Sequence, residues 1–235
     1  NPAPDSIAQF QVVTNNQSAE YGRASGATFN VAYRSGTNQY HGLAYEFIRN
    51  RALNAIGYFR AANPIKPQFN RNQFGGNFAG PILHDKLFFF VDYEGFRQLR
   101  SQPTTVTLPT ANQRLGIFSK TVYNPYTGVA YAAGTPIAQT GGNISATAVR
   151  VLSLLPANTN GNATNNYTTL QRSQNFSDKG SIRLDYQLNP KNSFFVRVSD
   201  LKQNATDFPL FPNSIDGNTN GRQRILDQQV AVGWT

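Results

Sequence analysis

The sequence predicts an all-β chain, a segment of a transmembrane antiparallel β-barrel. Three observations predict it. Alternate residues of its strands are apolar and polar or charged, its connections alternate between short and long, and its composition is rich in Asn, Gln, Thr, Ser, Gly and Tyr. The stretch NQFGGNFAGPILHDKLFFFVDYEGFR, residues 72–97, shows the pattern in small. A glycine-rich strand ends in a short polar turn, and an aromatic strand carrying acids follows. A strand in a water-free core has no place for those acids. A strand with one wall in lipid and the other on a wet lumen takes them on its inner face.

The strands follow in order. SIAQFQVV and TFNVAY are short candidates near the N-terminus, with Gly22, Gly26 and Gly36 allowing tight turns around them. YHGLAYEFIR puts Leu43, Tyr45 and Phe47 on one face and Glu46 on the other. A strand over roughly 69–80 alternates through Phe74 and Phe78. After PILHDK, Leu87, Phe89, Val91 and Tyr93 share a face, and Phe88, Phe90, Asp92 and Glu94 share the other. SIRLDYQL separates Ile182, Leu184, Tyr186 and Leu188 from Ser181, Arg183, Asp185 and Gln187. NPKN reads as a tight turn, and SFFVRVSDL then sets Phe194, Val196 and Val198 against Phe195, Arg197 and Ser199. RILDQQVAVGWT sets Leu226, Val230, Val232 and Trp234 against Asp227 and Gln229.

The connections at about 81–86 and 189–192 are short. Those at about 50–68, 101–177 and 202–222 are long and full of Asn, Gly, Pro and Thr. A soluble sandwich has no reason for this alternation, whereas an outer-membrane barrel has short periplasmic turns and long extracellular loops. Within the second loop, ISATAVRVLSLLP spaces Val149, Leu152 and Leu155 as a helix does and stops at Pro156. It is expected to form a short helix that pins the loop by burying one apolar face.

The period-two pattern also sets expectations for sidedness. Phe89, Val91, Leu184, Tyr186, Val196 and Val198 should face lipid, and Asp92, Glu94, Arg183, Asp185 and Arg197 should face the lumen.

Several function classes are disfavoured. The chain has no cysteine, so it has no disulfide framework, thiolate metal site or cysteine nucleophile. No apolar run approaches the ~18 residues of a transmembrane helix. The formal charge is +9, but Lys and Arg are scattered. That suits a solvated basic surface, or a rim beside anionic lipid headgroups, better than a nucleic-acid interface. His41 and His84 have no ligand-like partner at metal spacing and read as turn or interface residues. Nothing like GxSxG occurs. Asp92 and Glu94 suit a lumen-lining pair better than a glycosidase pair. The chain therefore reads as a non-enzyme without cofactor or metal. There is no signal peptide, and NPAPDSIAQFQVV reads like the middle of a protein, so a fragment or processed chain is expected.

AEYGRASG and FNVAYRSGTNQYHGLAYEFIRN, followed by the 72–97 stretch, resemble TonB-dependent outer-membrane receptors of the Oar-like kind. LPTANQRLGIFS, VYNPYTG and YQLNPKNSFFVRVS resemble that family's second extracellular loop and the hairpin after it. Arg34 stands where a Lys is usual, and Ala27 where a second Gly is usual. The resemblance implies that residues 1–38 are the C-terminal part of a plug domain. Residues 39–235 would then be about six first strands, with their extracellular loops, of a barrel of ~22 strands.

It also implies a bacterial outer-membrane receptor that takes up a siderophore, an oligosaccharide or a peptide. Its partners would be outer-membrane lipid, the remaining barrel strands, and a TonB-type energy-coupling protein acting through a segment not in this chain. Two alternatives stay open: a surface adhesion or scaffold barrel without transport, and a soluble β-sandwich carbohydrate-binding domain. In the plugged barrel, Glu20 and Arg23 of AEYGR offer both charges to the wall. Glu46, Arg49, Asp92 and Glu94 are their expected partners.

Overall fold

A computed structural model of the chain describes residues 4–14, 27–56, 66–213, 215–216 and 221–235. Its main element is one six-stranded antiparallel sheet. The strands are β3 (His41–Asn50), β4 (Phe69–Leu83), β5 (Leu87–Val106), β8 (Tyr167–Asn189), β9 (Asn192–Asp207) and β10 (Gly221–Trp234). Each pairs with the next in the chain, and β3 and β10 are the edges, which do not pair with each other. No closed barrel forms among the described residues, as expected of a barrel segment. The other sheets among the described residues have only two strands each, too few for the second layer of a soluble sandwich.

The short turns follow from local chemistry. In the turn after β4, Lys86 N–H donates to the Leu83 carbonyl at 3.1 Å, and Asp85 takes a positive φ of 58°. Asp tolerates that left-handed conformation better than most residues. In the turn after β8, the Asn189 side chain accepts from the Lys191 N–H at 3.0 Å, an Asx-turn.

The strands are longer than the sequence suggests. β5 has 20 residues and β8 has 23, and they stay paired out to Val106 opposite Tyr167. Since ~9–11 residues span a bilayer, this pair projects well past it on the long-loop side. The expected loop 101–177 thus shrinks to 107–166. Asn166 closes its base: its fully buried amide accepts from Leu108 N–H at 2.7 Å and donates to Leu108 C=O at 2.8 Å.

Within this loop lie α1 (Ala111–Arg114), with a Thr110–Gln113 capping box, a small hairpin of β6 (Val122–Tyr123) and β7 (Ala130–Tyr131), and α2 (Ala146–Leu154). The helix sits where its spacing indicates, but it has no buried residue. Arg114 holds it instead, donating to the carbonyls of Leu152, Leu155 and Pro156 at 2.9, 3.1 and 2.6 Å.

At the N-terminus a single 3-10 turn (Pro4–Ser6) leads into β1 (Ile7–Val13), which pairs with β2 (Thr28–Tyr33) in a separate two-stranded sheet. Residues 34–40 then run to the large sheet. Gly36 is buried there, and a Cβ on it would collide with the backbone of Phe89 and Gly80, so only glycine fits. Asn38 and Asp85 tie this connector to the β4–β5 turn by a reciprocal pair of hydrogen bonds, 2.6 and 2.9 Å.

Candidate functional site

The large sheet has two unlike faces, and its burial runs opposite to that of a soluble protein. On one face, rows of side chains run across the strands in register, such as Phe78, Val91, Ile182, Val198 and Val230. Apart from the half-buried Val91 these apolar residues are exposed, Ile182 by 55% and Val230 by 71%. Aromatics gather at the turn end, where Trp234 stacks on Phe194 and its Nε1–H donates to Asn192 at 3.1 Å. On the opposite face, charged and hydroxyl side chains are covered: Glu94 is 2% exposed and Ser181 8%. Water-soluble folds cover the apolar face first. A sheet with lipid on one side and polar contacts on the other does the reverse.

Two polar clusters occupy the covered face. Glu94 is the centre of the first. Lys179 Nζ donates to Oε1 at 2.8 Å, and Gln73 Nε2 and Tyr45 Oη donate to Oε2 at 2.9 and 3.1 Å. Tyr45 reaches Glu94 by lying across β4 at Gly75, where a Cβ would sit 2.7 Å from the tyrosine oxygen. Asp92 lies one step along the same face and accepts from the Ser181 hydroxyl.

The second cluster grips the N-terminal unit. Arg183 makes a forked ion pair with Asp185, 2.7 Å at the shortest, stacks 4.7 Å over the Phe195 ring, and donates from Nη1 to the Tyr33 carbonyl at 3.2 Å. Arg197 lies 3.6 Å over the Tyr33 ring. A cavity of about 240 Å³ remains between the two units, lined by Ser6, Tyr33, Asp92, Lys179, Ser181 and Ser199 among others. Ser6 is 1% exposed, and Ala79 and Phe90, which pair across β4 and β5, are the most buried apolar residues among those described.

Of the expected site residues, Asp92, Glu94, Arg183, Asp185 and Arg197 share the covered face, as does Arg49, which stacks 4.7 Å over Phe69. Glu46 does not. The register sets it beside Phe74, on the exposed face, while its neighbour Tyr45 points to Glu94. The alternation separated Glu46 from Tyr45 correctly, but the aromatic residue, not the acid, turned inward. Glu20 and Arg23 lie outside the described residues. Sequence reasoning missed Tyr33 and Ser6 as the contact residues of the N-terminal unit. Their partners are far along the chain, and the only local signal is that Tyr33 ends a strand just before the Arg-Ser-Gly connector.

Comparison with known proteins agrees with this inverted sheet. The family model described as outer membrane beta barrel domain matches residues 32–235. The chain belongs to that family. As a member of it, the protein resides in the bacterial outer membrane. The TonB-dependent transporter Oar of Myxococcus xanthus is 31% identical over 104 residues, covering 40% of this chain and 10% of that protein. The chain's match thus spans about a tenth of this curated relative's length. Both matches support kinship of this barrel segment with Oar-like TonB-dependent receptors. No solved structure matches the chain.

Proposed function

We propose that this chain is the wall and plug end of a TonB-dependent receptor that takes up a nutrient, a siderophore, oligosaccharide or peptide, across the outer membrane. Residues 1–38 form the end of the plug, and 39–235 form the first barrel strands with their extracellular loops. The exposed apolar face meets lipid, and the covered polar face lines the lumen. A TonB-type partner pulls the plug through a segment outside this chain, and the substrate passes the space that opens. The observation that carries this reading is the grip of Arg183 and Arg197 on Tyr33, which ties the N-terminal unit to the polar face and not the apolar one.

The chemistry of that grip suits a movable plug. An apolar seal would resist displacement, because parting it exposes apolar surface to water. Hydrogen bonds and cation–π contacts are replaced by water when the plug shifts, so the cost of movement stays modest. The fixed part of the lumen wall is the Glu94 cluster, whose partners all come from barrel strands.

Deleting residues 4–33 from the full-length protein tests the reading. A plug held in the lumen predicts that the deletion admits a small hydrophilic dye across the outer membrane of intact cells. A deletion variant that assembles normally but leaves dye entry at the wild-type rate would favour a surface scaffold without transport.

A further inference from the structure

We infer that the outward face of β9–β10 carries a binding surface for the phosphate groups of outer-leaflet lipids, built by Lys202, Arg222 and Arg224. The inference rests on the reading of the apolar face as lipid-facing and goes beyond uptake.

The register places these three side chains on the same face as the apolar band. Along β10 that face reads Trp234, Val232, Val230, Gln228, Leu226, Arg224 and Arg222, and along β9 it reads Phe194, Val196, Val198, Asp200, Lys202 and Asn204. Lys202 stands opposite Leu226, and Asn204 opposite Arg224, so the lysine and the two arginines form one patch across two strands. All three are exposed.

The height of the patch matters. From Leu188 at the turn to Asp178, in the row of Lys202, the chain rises ~34 Å at ~3.4 Å per residue. At a strand tilt of ~40° this is ~26 Å along the membrane normal, about the height of a barrel's apolar band. Arg224 and Arg222 lie one and two rows further out. The patch thus begins where the hydrocarbon ends on the long-loop side, at headgroup depth.

Charge decides the occupant. The acids on this part of the face are already engaged: Asp178 by Arg97 at 2.6 Å, and Asp200 by the Gln228 amide at 3.0 Å. Among the described residues, Lys202, Arg222 and Arg224 have neither an ion pair nor a side-chain hydrogen bond. Lys202 stands opposite Asp178, whose charge it shares with Arg97, so Arg222 and Arg224 give the patch its excess of positive charge. That excess at headgroup depth complements phosphate, and arginine's planar fork pairs with phosphate oxygens in a bidentate way. A soluble acidic partner would find the long loops before it found this outward wall.

The test uses the full-length protein in nanodiscs of phosphatidylcholine containing bis-phosphorylated lipid A, with retained lipid A counted by native mass spectrometry. Near an anionic surface each Lys or Arg contributes a factor of about 5 to partitioning. The triple variant Lys202→Gln, Arg222→Gln, Arg224→Gln should therefore retain less lipid A by about tenfold or more. The charge-keeping variant Arg222→Lys, Arg224→Lys should retain most of it, and dephosphorylated lipid A should be held no better than phosphatidylcholine. Equal retention by the triple variant and the wild type overturns the inference, as does displacement of lipid A by millimolar inorganic phosphate. If the triple variant does not fold, loss of lipid A from the wild type on raising salt replaces it, and salt-insensitive retention overturns the inference equally. The sidedness reading fails separately, if Val230→Arg assembles as well as wild type.

Discussion

The guanidinium of Arg197 lies 3.6 Å from the centre of the Tyr33 ring, joining a residue near the end of the N-terminal unit to the middle of a barrel strand. Its Nη1 is buried without a hydrogen-bond partner, so the ring face and the charge of Asp92 compensate it there. A partly desolvated stack of this kind is worth about 1–2 kcal/mol. A double-mutant cycle on Tyr33→Leu and Arg197→Met, read from urea unfolding midpoints, should give a coupling of that size. Tyr33→Phe keeps both the ring and the carbonyl that accepts from Arg183, and should stay near wild type. A coupling within error of zero means that the stack does not hold the unit.

Glu94 and Asp178 make ion pairs of similar length in unlike surroundings. The Lys179–Glu94 pair is 2.8 Å with the carboxylate 2% exposed, and the Arg97–Asp178 pair is 2.6 Å with its side chains 35% and 42% exposed. Removing one partner of a buried pair leaves an uncompensated charge and costs about 3–5 kcal/mol. Removing one partner of a half-exposed pair costs about 0–1 kcal/mol. Glu94→Ala should therefore lower the unfolding midpoint strongly, and Asp178→Ala only slightly. Similar shifts for both variants would mean that water reaches Glu94 freely.

Gly75 and Gly180 offer a second matched comparison. At Gly75 a Cβ would collide with the Tyr93 backbone carbonyl and meet the Tyr45 hydroxyl at 2.7 Å and its ring at 2.9 Å, while at Gly180 it would meet only the Asp92 carbonyl, at 3.4 Å. Gly75→Ala should push Tyr45 off Glu94 and destabilise the fold by about 1–3 kcal/mol. Gly180→Ala should be close to neutral. The tyrosine's ultraviolet absorbance and the unfolding midpoint report the two effects together, and an unshifted midpoint for Gly75→Ala would show that both the ring and the Tyr93 carbonyl give way without cost.

Arg114 holds α2 through three carbonyls that no other side chain takes among the described residues. Lysine has no planar fork and cannot span them. Arg114→Lys should loosen the helix and speed tryptic cleavage after Arg150, which lies on it and is exposed. The strands should be cut at an unchanged rate. If cleavage after Arg150 is not faster, the loop is held by something other than Arg114.

What the sequence made legible follows from how local each signal is. The hairpins at 84–86 and 190–191 were legible because Asn189 accepts from its own turn backbone and Asp85 tolerates the left-handed conformation its turn requires. The two faces of β5, β8, β9 and β10 were legible because pleating turns alternate residues apart whatever their partners are. The outer halves of β5 and β8 were not. Ser101 to Val106 is polar on both sides and contains Pro103, so it reads as loop, yet it pairs residue for residue with Tyr167 to Arg172. Pairing across that distance is tertiary and leaves no periodic trace. Glu46 failed for a related reason. Alternation says that it opposes Tyr45, but only Gly75 and Glu94, from two other strands, decide which of them turns inward.

Val230 and Gln229 are adjacent on β10, both exposed, and on opposite faces of the sheet. Their chemical difference can be erased by giving each the same replacement. Val230→Arg sets a guanidinium in the row of Ile182, Val198 and Val91, near the middle of the apolar band, where a charge costs about 2–4 kcal/mol in lipid. Gln229→Arg sets it among Ser199, Ser181 and Asp92, where hydroxyls and a carboxylate can receive it. The first variant should assemble poorly into the outer membrane, seen as a loss of the heat-modifiable folded band on a gel, and the second should assemble normally. A soluble sheet gives a different result, because water accepts an arginine on either exposed face. Equal assembly of the two variants would therefore remove lipid from the exposed apolar face.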